Sequence, residues 1–327
     1  MNRPNKLPPP DIYPGLDDEL DAVYERNVSQ GIAVPVEKAP EAELGAVVVE
    51  QLQQAAPEAL PEEIKQWAVS QLMPANEKWA RLRTHLEFPL PAPLSELADK
   101  HPNFRAVINR LHDAQEVLTG SGEKTPEGLP IGETMKLALI PWQDLRNSIG
   151  NGVLQEWLKG VRKSQGIDEE DYINDDLIDA IQTNKPLYRN PDKPGELMTP
   201  KDYLDRKIAE DGAWGIMLVQ TSEQAGVESL RGKSPDELTS DGQGSFAIGA
   251  KCRVDGLGIF EWLALTIQED PRQLSAKTDY SWMLANRLDV EGDPYVPNGY
   301  WLVDQVGSGL ASAADQDDNM RPRLAVL

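Results

Sequence analysis

Few side chains in this sequence are suited to acid–base or nucleophilic chemistry, and they are far apart. Histidine is the commonest general base, and the chain has three, His85, His101 and His112. The only cysteine, Cys252, lies about 140 residues after the last of them, and a zinc site would need further nitrogen or sulfur ligands at suitable spacing. We therefore expect packing or exposure for the histidines, and we predict neither catalytic nor metal-binding residues among these four.

No complete catalytic motif occurs in the chain. The sequence has no GxSxG, GxxxxGK[ST] or HExxH pattern, and no GxGxxG motif after a strand. We therefore predict no cofactor, and we favour a protein that is not an enzyme. A hydrolase-type enzyme that uses Cys252 or a pair of carboxylates in a cleft between domains stays an alternative, because a nucleophile and its base meet in space rather than in sequence.

Two acidic clusters, DEEDYINDD at 168–176 and DQDDN at 315–319, carry oxygen ligands of the kind that calcium prefers. Neither has the glycine and the ligand spacing of an EF-hand loop. A helix start explains the first cluster and a solvated turn explains the second. We predict no metal, and calcium at Asp315, Asp317 and Asp318 is the alternative.

The net charge restricts the partners of this protein. The formal charge is -22, from 54 acidic and 32 basic residues, so the average field repels phosphate backbones and anionic lipids. We expect no nucleic-acid partner. The N-terminal residues lack an apolar signal region, no stretch is long and apolar enough for a membrane span, and one cysteine allows no internal disulfide. These features predict a cytoplasmic protein, and display on a surface or in a virion would need another route.

A chain of 327 residues is long enough for about two domains. Prolines dominate the first residues, so 1–40 is predicted to be a Pro-rich arm with a short helix. Successive segments with helical periodicity predict a helical domain over 41–211, with helices that include 61–72, 104–119, 132–140, 153–162, 169–182 and 200–210.

The sequence changes character after residue 212. The run AWGIMLVQT, at 213–221, predicts a buried strand. A strand at 246–254, a helix at 257–270, a helix at 279–288 and a closing strand in RLAVL complete the pattern. The fold class is therefore α+β, with a helical N-terminal domain followed by an α+β domain over 212–327.

Aromatic residues indicate where a partner would bind. Trp214, Trp262 and Trp282 lie in apolar segments and are expected in the core. Tyr295 and Tyr300 lie instead in YVPNGYW, a segment with glycine and proline that predicts a loop with outward-facing side chains.

The last hundred or so residues resemble a divergent C-type-lectin-like domain of the kind found in variable proteins of diversity-generating retroelements. The likeness rests on the helix at 257–270, on YSWMLANRL, on NGYWLVDQVGSGL and on RPRLAVL as the terminal strand. In that family a rigid scaffold presents exchangeable C-terminal residues to a ligand. The sequence lacks the disulfides of animal lectins and the RGGSW-type residues of the formylglycine-generating branch, so the resemblance implies neither calcium-dependent sugar binding nor that enzymology.

The resemblance implies a binding protein whose C-terminal loop face contacts a protein or another macromolecular ligand, with a sequence that could be diversified. The ligand-binding residues would be Asp293, Tyr295, Asn298, Tyr300, Leu302, Asp304, Ser308, Leu310 and Ser312. The proline-rich start and the acidity are also compatible with a structural protein of a phage or mobile element.

Overall fold

The structure is a computed structural model that describes residues 61–85, 104–126, 128–150, 174–220, 226–239, 245–248, 252–268, 279–290, 292–302, 305–316, 320–322 and 324–326. The predicted arm over 1–40 and the predicted helix at 153–162 lie outside these residues.

Helices and strands alternate irregularly, and the fold class is α+β as predicted. The α-helices are α1 Glu62–His85, α2 Phe104–Thr119, α3 Trp142–Gly150, α4 Asp175–Gln182, α5 Pro200–Asp211, α6 Pro235–Leu238 and α7 Ile259–Gln268. The strands are β1 Met135–Ile140, β2 Tyr188–Arg189, β3 Leu197–Met198, β4 Gly215–Gln220, β5 Ser245–Ile248, β6 Cys252–Gly256, β7 Asp279–Trp282, β8 Leu288–Val290, β9 Asp293–Leu302, β10 Gln305–Ser312, β11 Met320–Pro322 and β12 Leu324–Val326.

A five-stranded antiparallel sheet in the order β1-β4-β12-β6-β5 forms the centre of the core. All six residues of β4 are buried, which is typical of an interior strand covered on both faces. The sheet takes β1 from the region predicted as the helical domain and its other strands from the region after residue 212. The predicted boundary therefore runs through this sheet.

The N-terminal helices cover the sheet with regularly spaced apolar residues. Ala68, Leu72, Ala75 and Trp79 of α1 recur every three or four residues and are all buried, so one face of α1 packs inward. The Trp79 ring meets Trp214 edge-to-face at 5.4 Å between centroids.

Several sequence predictions are confirmed in detail. Helix α2 buries its predicted stripe, Phe104, Val107, Ile108, Leu111 and Leu118. The Thr199 side chain accepts from the Asp202 backbone N–H at the start of α5, with Pro200 in the first turn. Helix α7 and strands β4 and β12 lie within their predicted segments, and the three tryptophans predicted for the core, Trp214, Trp262 and Trp282, are buried.

Three segment predictions are wrong. The predicted helix at 132–140 is a 3₁₀ turn, Ile131–Thr134, followed by β1. The predicted helix at 279–288 is β7, a turn and the first residue of β8, and the predicted strand at 246–254 is the hairpin of β5 and β6. Short apolar runs fit a helix or a strand equally well, and hydrogen bonding to distant partners decides between them.

A second sheet has the order β10-β9-β7-β11, and β8 also pairs with β9. Strand β9 contains YVPNGYW and is an interior strand, so the predicted loop in this segment is wrong. It pairs with β10 over eight residues, from Tyr295 opposite Ser312 to Leu302 opposite Gln305. We call this pair of strands the ribbon.

Within the described residues, no helix combines the length and the apolar character that a membrane crossing requires.

Candidate functional site

The structure places eight of the nine predicted ligand-binding residues on the two strands of the ribbon, and Asp304 lies outside the described residues. Side chains alternate between the faces of a strand. Tyr295, Ser308, Leu310 and Ser312 therefore share one face through their register partners, whereas Asn298 lies on the other face. The predicted set does not form one continuous surface.

The middle of the ribbon is packed on both faces. Gly299 lies so close to Trp262 that a Cβ atom there would be 2.1 Å from the indole Nε1. On the same face, the buried Ser308 side chain accepts a hydrogen bond from the Asn174 backbone N–H at 3.2 Å. Asn298 is buried on the other face. Asn298 and Ser308 are thus anchoring residues in this structure and are not offered to solvent.

The outer end of the ribbon is more open. Asp293 is exposed, and Tyr295, Leu310 and Ser312 are half-buried. Tyr300 and Leu302 belong to β9, but their side chains lie outside the described part of the structure.

A turn follows β10 at residues 312–316. The Asp315 carboxylate accepts from the Ser312 backbone N–H at 3.2 Å, and the Ser312 hydroxyl accepts from the Ala314 backbone N–H at 3.3 Å. Asp317 and Asp318, the other two carboxylates of the calcium alternative, lie outside the described residues. Among the residues that are described, no three His, Cys, Asp or Glu side chains are grouped for a metal.

A cavity of about 410 Å³ lies next to this outer end, and sequence reasoning did not predict it. Its volume is within the range of small-molecule sites, about 300–1,000 Å³. The polar residues that line it are Arg189, Glu196, Asp236, Thr239, Arg287 and Asp289.

Backbone pairing brings the two arginines of the cavity together. The Arg189 N–H donates to the Ala285 carbonyl and the Arg287 N–H donates to the Leu187 carbonyl, each at 2.9 Å. Strand β2 is thereby held against the segment that leads into β8. The buried Asn286 side chain reinforces this junction by accepting from the Ile259 N–H at 2.7 Å.

Helix α6 forms another wall of the cavity and is attached to the end of the ribbon. The Asp236 N–H donates to the Ala313 carbonyl at 3.1 Å. Ser234 and Glu237 form a complete capping box, and Gln316 donates to the Glu237 carboxylate at 2.9 Å. Helix α6 therefore helps to position both the cavity and the outer end of the ribbon.

The Arg189 guanidinium is buried without full hydrogen bonding. Only 7% of the residue is exposed, and its Nε donates to the Leu284 carbonyl at 3.0 Å. Its Nη2 is also buried, and no group in the described part of the chain accepts a hydrogen bond from it. A buried donor without a partner typically costs about 1–3 kcal/mol. Burial, and then the nearby positive charge of Arg287, lower the pKa of Arg189, and the Asp236 carboxylate opposes them.

Arg287 lies between two carboxylates. Its Nη1 is 3.6 Å from Asp236 and its Nε is 3.7 Å from Asp289. Both distances are those of ion pairs too long for good hydrogen bonds. Glu196, at the edge of the cavity, is paired with Lys193 at 3.3 Å. The cavity thus presents two guanidiniums and two nearby carboxylates. The contacts between these groups leave some of their donors and acceptors available for a ligand.

A second polar cluster lies inside the core. The Tyr203 hydroxyl donates to the fully buried Glu261 carboxylate, and the Tyr203 ring stacks on Tyr188 at 3.8 Å between centroids. The Tyr188 hydroxyl accepts from the Phe260 N–H at 3.0 Å. Burial, with the Glu261 carboxylate second, raises the pKa of Tyr188 well above 10.0. These groups are closed off from solvent and join α5, β2 and α7.

The histidines and Cys252 were the residues considered for catalysis. None of them lines this cavity, and several fall wholly or partly outside the residues that the structure describes. His112 packs edge-to-face on Trp67, with 5.1 Å between centroids. Cys252 begins β6, in agreement with the predicted strand, but its side chain is outside the described part. His101 is also outside it, and His85 is described only as the last residue of α1.

The sequence offered little signal for the cavity. Arg189 and Arg287 are separated by almost a hundred residues, and neither belongs to a motif. The one local signal is SPDEL at 234–238, a cap-like pattern in a segment interpreted as a loop, where the structure has the short helix α6. No family model matches this chain, and no curated protein or solved structure is significantly similar to it.

Proposed function

We propose that this chain is a binding protein whose C-terminal α+β region contacts a protein or another macromolecular partner through the outer end of the ribbon. One observation carries the proposal: the ribbon is anchored along its middle while Asp293 and Tyr295 at its outer end reach solvent. A surface held in place before binding loses less conformational entropy when it binds.

The anchoring contacts come from three separate elements. Trp262 of α7 packs on Gly299, the start of α4 hydrogen-bonds to Ser308, and α6 is attached to Ala313. Two of these contacts hold the middle of the ribbon on one face, and the third holds the chain at Ala313, just beyond the outer end of β10. They support a stiff platform and a constant position for the exposed side chains.

The resemblance to C-type-lectin-like variable proteins is part of the proposal. It is supported by the position of the terminal strand β12 between β4 and β6, and by helix α7, whose Trp262 lies against β9.

The proposed binding face is smaller than the set of residues drawn from the sequence. It comprises Asp293, Tyr295, Leu310 and Ser312, whose side chains are exposed or half-buried. Asn298 and Ser308 are left out because they are buried. Tyr300, Leu302 and Asp304 stay predictions from the sequence.

The sharpest test is the pattern of substitution among close relatives of this chain. If the ribbon end is a recognition surface, changes should concentrate at Asp293, Tyr295 and Ser312. Gly299 and Ser308 should stay the same, because a larger side chain at either would disturb the packing beneath. Equal variability at exposed and anchoring positions would overturn the proposal.

A direct measurement complements that comparison. We expect the combined variant Asp293→Ala, Tyr295→Ser and Ser312→Ala to unfold within a few tenths to about 1 kcal/mol of the parent. The matched variant Asn298→Ala and Ser308→Ala should lose clearly more, because both of its side chains are buried. Urea unfolding measures both, and a larger loss in the first variant would show that the ribbon end is structural.

A further inference from the structure

We propose that the cavity between β2, α6 and β8 is a binding site for a small zwitterion, a molecule of amino-acid type that carries a carboxylate beside a protonated amine. Its carboxylate would accept hydrogen bonds from Arg189 and Arg287, and its ammonium group would donate to Asp236 and Asp289. This site needs no macromolecular partner and does not depend on binding by the ribbon end.

The anionic half of the ligand follows from Arg189. This side chain lines the cavity and is more than nine-tenths buried. Its Nη2, which no described group accepts from, is shielded from solvent, so other atoms of the side chain face the cavity. Arg287, the second guanidinium of the cavity, reaches its carboxylate neighbours only at 3.6 and 3.7 Å. A planar carboxylate matches the donor fork of a guanidinium and would accept hydrogen bonds from the atoms of both guanidiniums that reach the cavity.

The cationic half follows from the two aspartates. A simple anion at the arginines would also face the carboxylates of Asp236 and Asp289, which lie within 4 Å of Arg287 and would repel it. A phosphate dianion would be repelled more strongly than a carboxylate. A ligand with a positive group beside its carboxylate converts this repulsion into attraction.

The size of the cavity suits such a ligand. Its volume is about 410 Å³, and a water molecule in the liquid occupies about 30 Å³. A free amino acid therefore fits with room for bridging waters. Thr239, at the end of α6, adds a hydroxyl to the lining, although it already donates to the Pro235 carbonyl at 2.7 Å.

The test is a calorimetric titration of the full chain with each free amino acid in turn, and with acetate, ethylammonium and inorganic phosphate. We expect at least one amino acid to bind with a Kd below about 1 mM. Acetate, ethylammonium and phosphate should each bind at least about tenfold more weakly, since each satisfies only one half of the cavity. Absence of binding by every amino acid, or phosphate binding as tightly as the best of them, would overturn the proposal.

Two variants assign the binding to the cavity. Arg287→Gln should weaken the amino acid at least about tenfold. Asp289→Asn should weaken the amino acid and at the same time strengthen acetate, because it removes both an ammonium acceptor and a repulsive charge. The control is Arg231→Gln, which alters an exposed arginine outside the cavity that pairs with Glu228 at 3.8 Å. Its affinity should equal that of the parent.

Arg189→Lys keeps the positive charge and removes the planar fork, so we expect it to weaken the amino acid and acetate by similar factors, because both use a carboxylate there. Since Arg189 is buried, this variant could fail to fold, and Arg287→Gln and Asp289→Asn then carry the test because both side chains are partly exposed. Unchanged affinity in Arg287→Gln and Asp289→Asn would overturn the proposal.

Discussion

The five-stranded sheet and the ribbon are both antiparallel, but different side chains stabilise them. Strand β4 has a continuous apolar run, GIMLV, and every residue of it is buried. The middle of the ribbon buries Asn298 and Ser308 and brings Gly299 against an indole ring. Apolar burial contributes about 25 cal/mol per Å² without regard to direction, whereas buried polar groups must meet a partner in one orientation.

This difference between apolar and polar burial indicates which region of the molecule is expected to bind a ligand or partner. The central strand of the sheet is stabilised mainly by apolar burial, and its one buried polar residue, Gln220, is hydrogen-bonded to Thr134 and Gly226. The ribbon and the adjoining cavity keep polar and charged groups that a plain core would not contain, such as Arg189 with an unsatisfied Nη2. Departures from the packing rules of a core tend to mark functional sites.

The largest expected effect is in the sheet. Leu218 is fully buried in β4, and Leu218→Ala should lower the free energy of unfolding by about 2–5 kcal/mol through lost burial and a residual cavity. The matched change on the ribbon, Leu310→Ala, should cost about 1 kcal/mol because that side chain is only half-buried. Urea unfolding measures both, and equal losses would contradict the distinction between the two regions.

The second prediction concerns a type of contact found in each region, a glycine packed against a tryptophan ring. A Cβ at Gly299 would be 2.1 Å from Trp262, and a Cβ at Gly215 would be 2.2 Å from Trp142. Overpacking of this kind costs about 1–3 kcal/mol, so Gly299→Ala and Gly215→Ala should destabilise the protein to a similar extent. The control is Gly309→Ala, where the nearest atom is 3.1 Å away at the Asn298 amide. Thermal unfolding should rank it as the mildest of the three.

The third effect is a pH dependence at Tyr188, which lies between the core and the cavity. Its folded-state pKa is raised, so between pH 10.0 and that value the folded protein keeps a proton that the unfolded chain releases. Stability is fully present below pH 10.0 and falls above it, by up to about 1.4 kcal/mol per pH unit. Tyr188→Phe should lack this component and have a shallower decline, as measured by urea unfolding from pH 8 to 11.

Below pH 10, Tyr188→Phe should have a lower free energy of unfolding than the parent. The Phe260 N–H loses its acceptor, which should cost about 0.5–1.5 kcal/mol at pH 8. A steeper decline in Tyr188→Phe than in the parent at high pH would show that the hydroxyl is not the group responsible.

The smallest expected effect is at the capping box of α6. Ser234→Ala removes the acceptor of the Glu237 N–H and should cost about 1 kcal/mol. Hydrogen bonds from the Ser234 backbone and then from Gln316 lower the pKa of Glu237 from 4.5. This contribution is therefore present above pH 4.5 and is lost as the pH falls through the lower folded-state pKa. Glu237→Gln should remove that acid-side dependence in unfolding measured between pH 3 and 6.

Local sequence patterns predicted the elements whose stability depends on near neighbours. The helices predicted at 104–119 and 200–210 are α2 and α5, and each depends on residues no more than a few positions apart along one helix. The burial of Trp214, Trp262 and Trp282 was also predicted, because large apolar residues in apolar segments lie in a core whatever its topology.

Patterns failed where a distant partner decides the conformation. MKLALI was predicted to be part of a helix and is β1, because it pairs with β4 about eighty residues later. YVPNGYW was predicted to be a loop and is an interior strand, because β7, β8 and β10 all hydrogen-bond to β9. For the candidate sites, the segment of the ribbon was identified from its aromatic residues, but which of its side chains face solvent was not.

By itself the sequence determined the charge of -22, the starts of helices α1 and α5 and the burial of the three tryptophans, since each depends on composition or on contacts within a few residues. Only the tertiary structure decided that β1 joins β4, that Asn298 and Ser308 are buried, and that Arg189 and Arg287 line one cavity. The physical reason is that strand pairing and cavity formation join residues distant in the chain, and their free energies depend on partners that no local pattern specifies.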